Sequence, residues 1–354
     1  MNEEKKPVNG LMGFLARTKI YDSSIQMEGR RNCYIDNARF LMITLVVITH
    51  FTQTTGVFTG LWKYVYFFHM PAFLFLSGYF AKPQRNAKKC MGILMLYCIS
   101  QVLFIFVERV FLGTDCKISL FYPKFGLWYL VAIFFYLLLL PLMDLIKPWI
   151  LFAGLYALGL IMGIDRSVGE FMSLSRIFVF APFYMMGYYA NKTKVLERLS
   201  QKMWLQNVCR AVAVLTLIAV VYLQDGIRGQ VLTSKRSYDA MNLTNPEGLL
   251  HRAGFYIIGT LLVWVILLAV PRGKAFFTRV GTNCVTIYLI HILLVDILIN
   301  TGAFPVIQSY VTKWGLIVLA VLLVFVLSPD FLAKPLNHLM KGEYPWLYKK
   351  ETEQ

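Results

Sequence analysis

Leu316-Ile-Val-Leu-Ala-Val-Leu-Leu-Val-Phe-Val-Leu327 runs for twelve residues without one polar side chain. A helix that is apolar all round has no face to give to water, so it sits in the core of a large protein or in lipid. A bilayer core of about 30 Å takes about 20 mostly apolar residues per helix. Working outward, the run extends to 314–333, and nine further windows of that kind occur at 35–53, 61–81, 90–111, 127–146, 149–164, 171–190, 208–224, 249–270 and 281–300. The fifth is the weakest, being short and holding Gly154, Gly159 and Gly163. Ten such windows with almost no amphipathic helix between them exclude a soluble core. The expectation is an all-α polytopic membrane protein of about ten transmembrane helices.

Composition agrees. The 354 residues are 58% hydrophobic and only 15% charged, against roughly 25% charged in soluble chains, and the mean hydropathy is +0.59. The chain also carries 35 Lys and Arg against 19 Asp and Glu. That excess suggests nucleic acid until the charges are placed. With a cytoplasmic N-terminus, 24 of the 35 fall on the inner side and 11 on the outer, which is the positive-inside pattern. The basicity is therefore topological: both termini are expected in the cytoplasm, the partner surface is a lipid bilayer, and no nucleic acid is expected. The first span starts late, runs long and lacks a cleavage site, so it is not a signal peptide. The expected division is a cytoplasmic segment 1–33, a membrane domain 34–333 and a cytoplasmic tail 334–354, in a multi-pass protein of the plasma membrane. The six cysteines have neither disulfide-framework nor metal spacing, so no metal site is expected. The longest connection, Asp225 to Gly248, either covers a site or is a plain solvated loop.

Ionisable residues inside spans are costly and mark function by default. Here they are Asp36, Arg39, His50, His69, Glu108, Arg176 and His291. Asp36 and Arg39 share a helical face at the inner end of the first span. His50 follows Arg39 by 11 residues, about 16 Å along the helix and close to three turns, so it shares that face too. His69 returns in span two at a similar depth, beside Pro71, which removes a backbone donor and kinks the helix or frees a carbonyl. Glu108 and Arg109 read as a local pair. Against function stand satisfied core histidines for His69 and His291, and snorkelling for Arg39 and Arg176.

Arg31-Asn-Cys-Tyr-Ile-Asp36-Asn-Ala-Arg39, followed by an apolar run to His50, resembles the first span of the integral-membrane acyltransferase 3 family. Phe68-His69-Met70-Pro71-Ala72-Phe73-Leu74-Phe75-Leu76-Ser77-Gly78-Tyr79-Phe80 resembles its second-span signature, closest to the fucose 4-O-acetylase-like branch. Leu127-Trp128-Tyr129-Leu130, Arg176 with Ala181-Pro182-Phe183, and Asn283-Cys284 through Tyr288 to His291 are weaker matches. The family usually has Ser where Cys284 stands. The resemblance implies transfer of an acyl group, usually acetyl from cytoplasmic acetyl-CoA, to a carbohydrate hydroxyl. No bound cofactor is implied; acetyl-CoA is a co-substrate. His50 then serves as base, since histidine is poised for proton transfer near neutral pH. Arg39 is set by Asp36, Arg30, Arg31, Ser77 and Tyr79 serve the donor, and His69, Arg176, Trp128, Tyr129 and His291 the acceptor. The contending class is a transporter or flippase, which often carries broken helices in matching halves. Only one Pro-broken span here holds histidines. Homo-oligomerisation is left open.

Overall fold

A computed structural model describes residues 33–53, 56, 58–83, 86–342 and 344, and all secondary structure among them is helical. Arg30 and Arg31 lie outside the described residues, as does most of segment 1–33. The first two long helices are α1 (Cys33–Gln53) and α2 (Thr59–Tyr79). α3 (Asn86–Phe106) continues into a π-helical turn, Val107–Phe111. α4 (Trp128–Met143) and α5 (Pro148–Ile161) follow, α5 with proline in its first turn, where the missing N–H costs nothing. Next come α6 (Leu174–Thr193), short α7 (Val195–Ser200) and α8 (Met203–Tyr222). A short α9 (Gly229–Thr233) precedes α10 (Asn245–Ala269), which a Thr244–Glu247 capping box starts. The chain closes with α11 (Thr278–Thr282), α12 (Cys284–Asn300), α13 (Ala303–Tyr310), α14 (Lys313–Val326) and α15 (Asp330–Lys341).

Every apolar window of the sequence contains helix, although 281–300 crosses the α11–α12 junction and 314–333 the break between α14 and α15. Four helices are long and apolar enough to cross a membrane: Cys33–Gln53, Ala87–Phe111, Met203–Tyr222 and Asn245–Ala269. A fifth results if α14 and α15, bent by 67°, count as one broken span. α4, α5 and α12 are apolar but shorter. α2 and α6 are long enough, but they carry tyrosines, Lys63 or Arg176, and prolines, and they hold the centre of the bundle, where most of their side chains are buried by neighbours.

The centre is built on glycine. A Cβ on Gly78 of α2 would lie 1.9 Å from the Tyr184 carbonyl oxygen of α6, and one on Gly187 of α6 would lie 1.8 Å from Phe75 O of α2. The two backbones therefore touch at two reciprocal points, the small-residue contact by which helices pack in lipid. Pro71 leaves α2 continuous. The carbonyl it frees, four residues back at Phe67, rests against Gly259 of α10, where a Cβ would come within 2.9 Å. On another side Gly281 of α11 abuts Asp36 O of α1.

α15 continues past residue 333 and lies against α3, where Cβ atoms on Gly342 and Gly92 would strike Lys88 O and Met340 O. Two expectations need correction. Glu108 and Arg109 do not pair with each other, since adjacent residues point apart on a helix. Glu108 binds Lys124 at 2.5 Å, and Arg109 binds Asp115 at 3.0 Å. Arg252, counted with the outer-loop cations, is fully buried. Its Nη1 donates to Gly159 O at 3.2 Å, and its guanidinium lies 4.9 Å from the Tyr238 ring. The connection 225–248 has folded down over it, with the Tyr238 hydroxyl donating to Leu160 O at 2.5 Å.

Gly187→Val should collapse the central contact, costing about 3 kcal/mol or more, the upper range for overpacking. Gly154→Ala in α5, where an added Cβ meets nothing within 4 Å, should stay within about 1 kcal/mol of the parent, the scale of helix propensity. Thermal unfolding of detergent-purified protein distinguishes the two.

Candidate active site

One cavity of about 620 Å³ runs through the bundle. Arg39, Lys89, Thr282 and Asn337 line one mouth, and Glu170, Thr233 and Lys235 line the other. His50 lies between them on α1. α2 presents Tyr66, His69, Met70, Phe73 and Ser77 to the cavity, with Phe80 just past its end; Tyr66, Met70, Phe73, Ser77 and Phe80 follow one another at three- and four-residue steps, which marks one helical face.

At the first mouth, Arg39 Nη1 donates to Asp36 Oδ1 at 3.3 Å, and its guanidinium sits 5.1 Å from the Phe80 ring. The Arg39 side chain stays 32% exposed, whereas Asp36 is buried. The carboxylate therefore holds the guanidinium at the edge of the cavity with donors still turned outward. Lys89 of α3 adds a second cation to the same lining. Deeper in, Ser77 Oγ and Tyr129 Oη are 2.7 Å apart. Tyr129 meets Phe73 and Tyr288 edge to face.

In the middle, His50 Nδ1 lies 3.2 Å from His291 Nε2, and His291 Nδ1 lies 2.7 Å from Ile287 O. The second contact fixes a proton, because a carbonyl only accepts: His291 Nδ1 carries a hydrogen and donates it. The Phe125 ring stands edge-on to His50, with centroids 5.2 Å apart. Phe125 has φ +39°, a left-handed conformation that a bulky residue adopts only under compulsion. The compulsion is visible. Lys124 N donates to Gln101 Oε1 at 2.9 Å, Gln101 Nε2 donates to Ser119 O and Tyr122 O, and the Tyr288 hydroxyl donates to Gly126 O at 2.6 Å.

Toward the second mouth, His69 Nδ1 donates to Val65 O at 2.9 Å, which leaves Nε2 the acceptor edge of a neutral ring. Arg176 Nε donates to Thr233 O at 3.1 Å, and its guanidinium lies 4.9 Å from the Trp128 ring. Trp128 stacks on Phe180. Lys235 pairs with Glu170 at 3.0 Å. The connection 225–248 thus supplies Thr233 and Lys235 to this end, so it covers the cavity.

Of the residues singled out from sequence, Arg39, His50, His69, Ser77, Trp128, Tyr129 and Arg176 line the cavity. Asp36 and His291 stand behind Arg39 and His50. Tyr79 does not join them. Its hydroxyl donates to Glu197 Oε1 at 2.6 Å, and Asn191 Nδ2 donates to its carbonyl. Two residues beyond Ser77 is about 200° around a helix, the opposite face. Sequence reasoning missed Lys89, which read as one more inner-side cation, and Glu170, Lys235 and Phe125, which read as loop. It also missed Asp296, whose Oδ2 is buried without a hydrogen-bond partner.

A helical membrane bundle enclosing a histidine between two cationic mouths defines the class of protein. Residues 32–333 match the acyltransferase domain that characterises the acyltransferase 3 family, and the chain belongs to that family: it is a membrane acyltransferase. No curated protein and no solved structure shows significant similarity to it.

Lys124 is the cation beside two carboxylates, since Asp296 is electrostatically coupled to both Glu108 and Lys124. Lys124→Met should cost about 3 kcal/mol or more, as expected when a buried pair loses one partner. Adding Glu108→Leu removes the repulsion and should restore at least half of the loss. Thermal unfolding of the single and double variants measures both.

Proposed function

We propose that the protein transfers acetyl from cytoplasmic acetyl-CoA to a hydroxyl of a cell-surface carbohydrate or its precursor, with His50 as general base. The observation that carries the reading is the order of groups along one cavity: a cationic mouth, a histidine, and a polar aromatic end. Arg39 and Lys89 suit the phosphates of CoA, with Arg39 offering a planar fork of donors. His50 stands about 16 Å further along α1, at 1.5 Å per residue, about the reach of an extended pantetheine arm. The thioester then arrives at the base while the phosphates remain outside. An acceptor sugar entering from the other end meets His69, Trp128 and Arg176, a mixture of ring faces and directional donors suited to a polyol. On this reading the chain crosses the plasma membrane ten times with both termini in the cytoplasm, and the Arg39 mouth opens inward. A fucose 4-O-acetylase-like specificity is consistent with His69 preceding Met70 and Pro71.

The chemistry follows from the groups named. His50 removes the acceptor hydroxyl proton as its oxygen attacks the thioester carbonyl carbon, and returns a proton to the departing sulfur. Proton transfer of this kind is worth about 10²- to 10⁴-fold.

Surface glycans from the parent strain, a deletion strain and strains complemented with His50→Ala or Arg39→Ala supply the test. Proton NMR should lose the O-acetyl methyl signal in the deletion and in His50→Ala, and Arg39→Ala should lose most of it, with both variants reaching the membrane at parental levels. A full acetyl signal in His50→Ala would overturn the assignment of the base.

A further inference from the structure

His50 and His291 come from helices 241 residues apart, yet their rings meet as a pair. The rings are 20° from coplanar, with centroids 5.3 Å apart and nitrogens 3.2 Å apart. They therefore join edge to edge, as a hydrogen bond requires, and not face over face. His291 is buried in the body of α12 and is not part of the cavity lining, whereas His50 is. These positions do not suit the acceptor-binding role expected of His291.

The proton order can be followed from one end. Ile287 O can only accept, so His291 Nδ1 donates to it. With both rings uncharged, His291 Nε2 then holds a lone pair, and the hydrogen between the rings belongs to His50 Nδ1. The second nitrogen of His50, Nε2, is left with its own lone pair on the ring edge away from His291. We infer that His291 is a positioning residue for His50, fixing the tautomer that places the basic lone pair on the cavity side. The carbonyl of Ile287 orients His291, and His291 orients His50.

The chemical consequence rests on the acyltransferase reading given above. The acceptor O–H proton passes to His50 Nε2 as its oxygen bonds to the thioester carbon. The C–S bond breaks, and the sulfur takes that proton from Nε2, so His50 ends neutral and no electrons change hands. While His50 is protonated, its Nδ1–H donates from a cation. Such bonds are roughly twice as strong as neutral ones, so the pair tightens only when charge develops, the condition for accelerating the step. His291 is thus expected to act on turnover and not on donor affinity.

The test combines a structural and a kinetic readout on the full-length protein in lipid nanodiscs. Nitrogen NMR of ¹⁵N-histidine-labelled protein, with signals assigned by single substitutions, should find both His50 and His291 protonated at Nδ1 alone. A His50 ring protonated at Nε2 alone overturns the inference. With acetyl-CoA and a monosaccharide mixture as the probe, CoA thiol release by His291→Leu should fall in kcat by about 10- to 100-fold, the range for a hydrogen bond to a charged group. Its KM for acetyl-CoA should stay within about twofold. His291→Gln, whose Oε1 can accept near the place of Nε2, should recover most of the loss. The double variant His50→Ala/His291→Leu should be no slower than His50→Ala, because the two act as one unit. Parental kcat in His291→Leu, or equal losses in His291→Leu and His291→Gln with His50 still protonated at Nδ1, overturns the positioning role. A parent protein that turns over no acetyl-CoA removes the donor assignment instead, and the nitrogen spectra still uphold or overturn the hydrogen-bond order.

Discussion

The approach of α2 to α6 at Gly78 and Gly187 is the constraint on which the other positions depend. With backbone oxygens of Tyr184 and Phe75 where Cβ atoms would otherwise stand, the two helices have no freedom to slide or rotate against each other. That lock faces His69 and Ser77 of α2, and Arg176 of α6, into one space. Lipid offers no hydrophobic drive between helices, so close packing and polar contacts carry the association. The same need explains Phe67 O against Gly259. A carbonyl released by proline inside a bundle must lie against something compatible with it, and glycine brings α10 close enough.

Along the cavity lining, charge is held to the two mouths. Arg39 with Asp36 and Lys89 stand at one, and Arg176 with Glu170 and Lys235 at the other. Between them stand uncharged polar groups, among them Ser77 against Tyr129, His69 donating to Val65 O, and His291 donating to Ile287 O. An unpaired charge in such a region costs several kcal/mol, whereas a chain of neutral donors and acceptors costs little when each finds its partner.

Much of this was legible in the sequence. Each apolar window held a helix, because lipid length and period constrain residues locally. Arg39, His50, His69 and Arg176 could be selected because ionisable groups inside spans are expensive to keep without a use, and Ser77, Trp128 and Tyr129 because they stand in stretches that resemble the family's motifs. Tyr79 shows the limit of reading a motif as a string: it is adjacent in sequence to Gly78 but turned by the helix toward Glu197. Lys89 was hidden by a rule that otherwise worked, since topology alone accounts for a cation there. The His50–His291 contact was invisible for a different reason. Nothing local distinguishes a histidine that lines a cavity from one that stands behind it, and the separation of 241 residues is bridged only by the tertiary packing of α12 against α1.

The use of a backbone carbonyl at the end of that contact follows from the setting. A carboxylate beside His291 would orient it as well, but would bring a full charge to the middle of the bundle, where burial makes a charge costly. The Ile287 carbonyl imposes the same proton order with only a dipole, and that dipole is already fixed by the helix. The charge that appears on His50 during proton transfer is then, on the proposed reading, met by His291 across their 3.2 Å contact. On the proposed reading this matches the donor as well: the phosphates stay with Arg39 and Lys89, and the uncharged thioester is the part that must enter the neutral centre. Separating Arg39 from His50 by three helical turns is what allows one substrate to satisfy both environments at once.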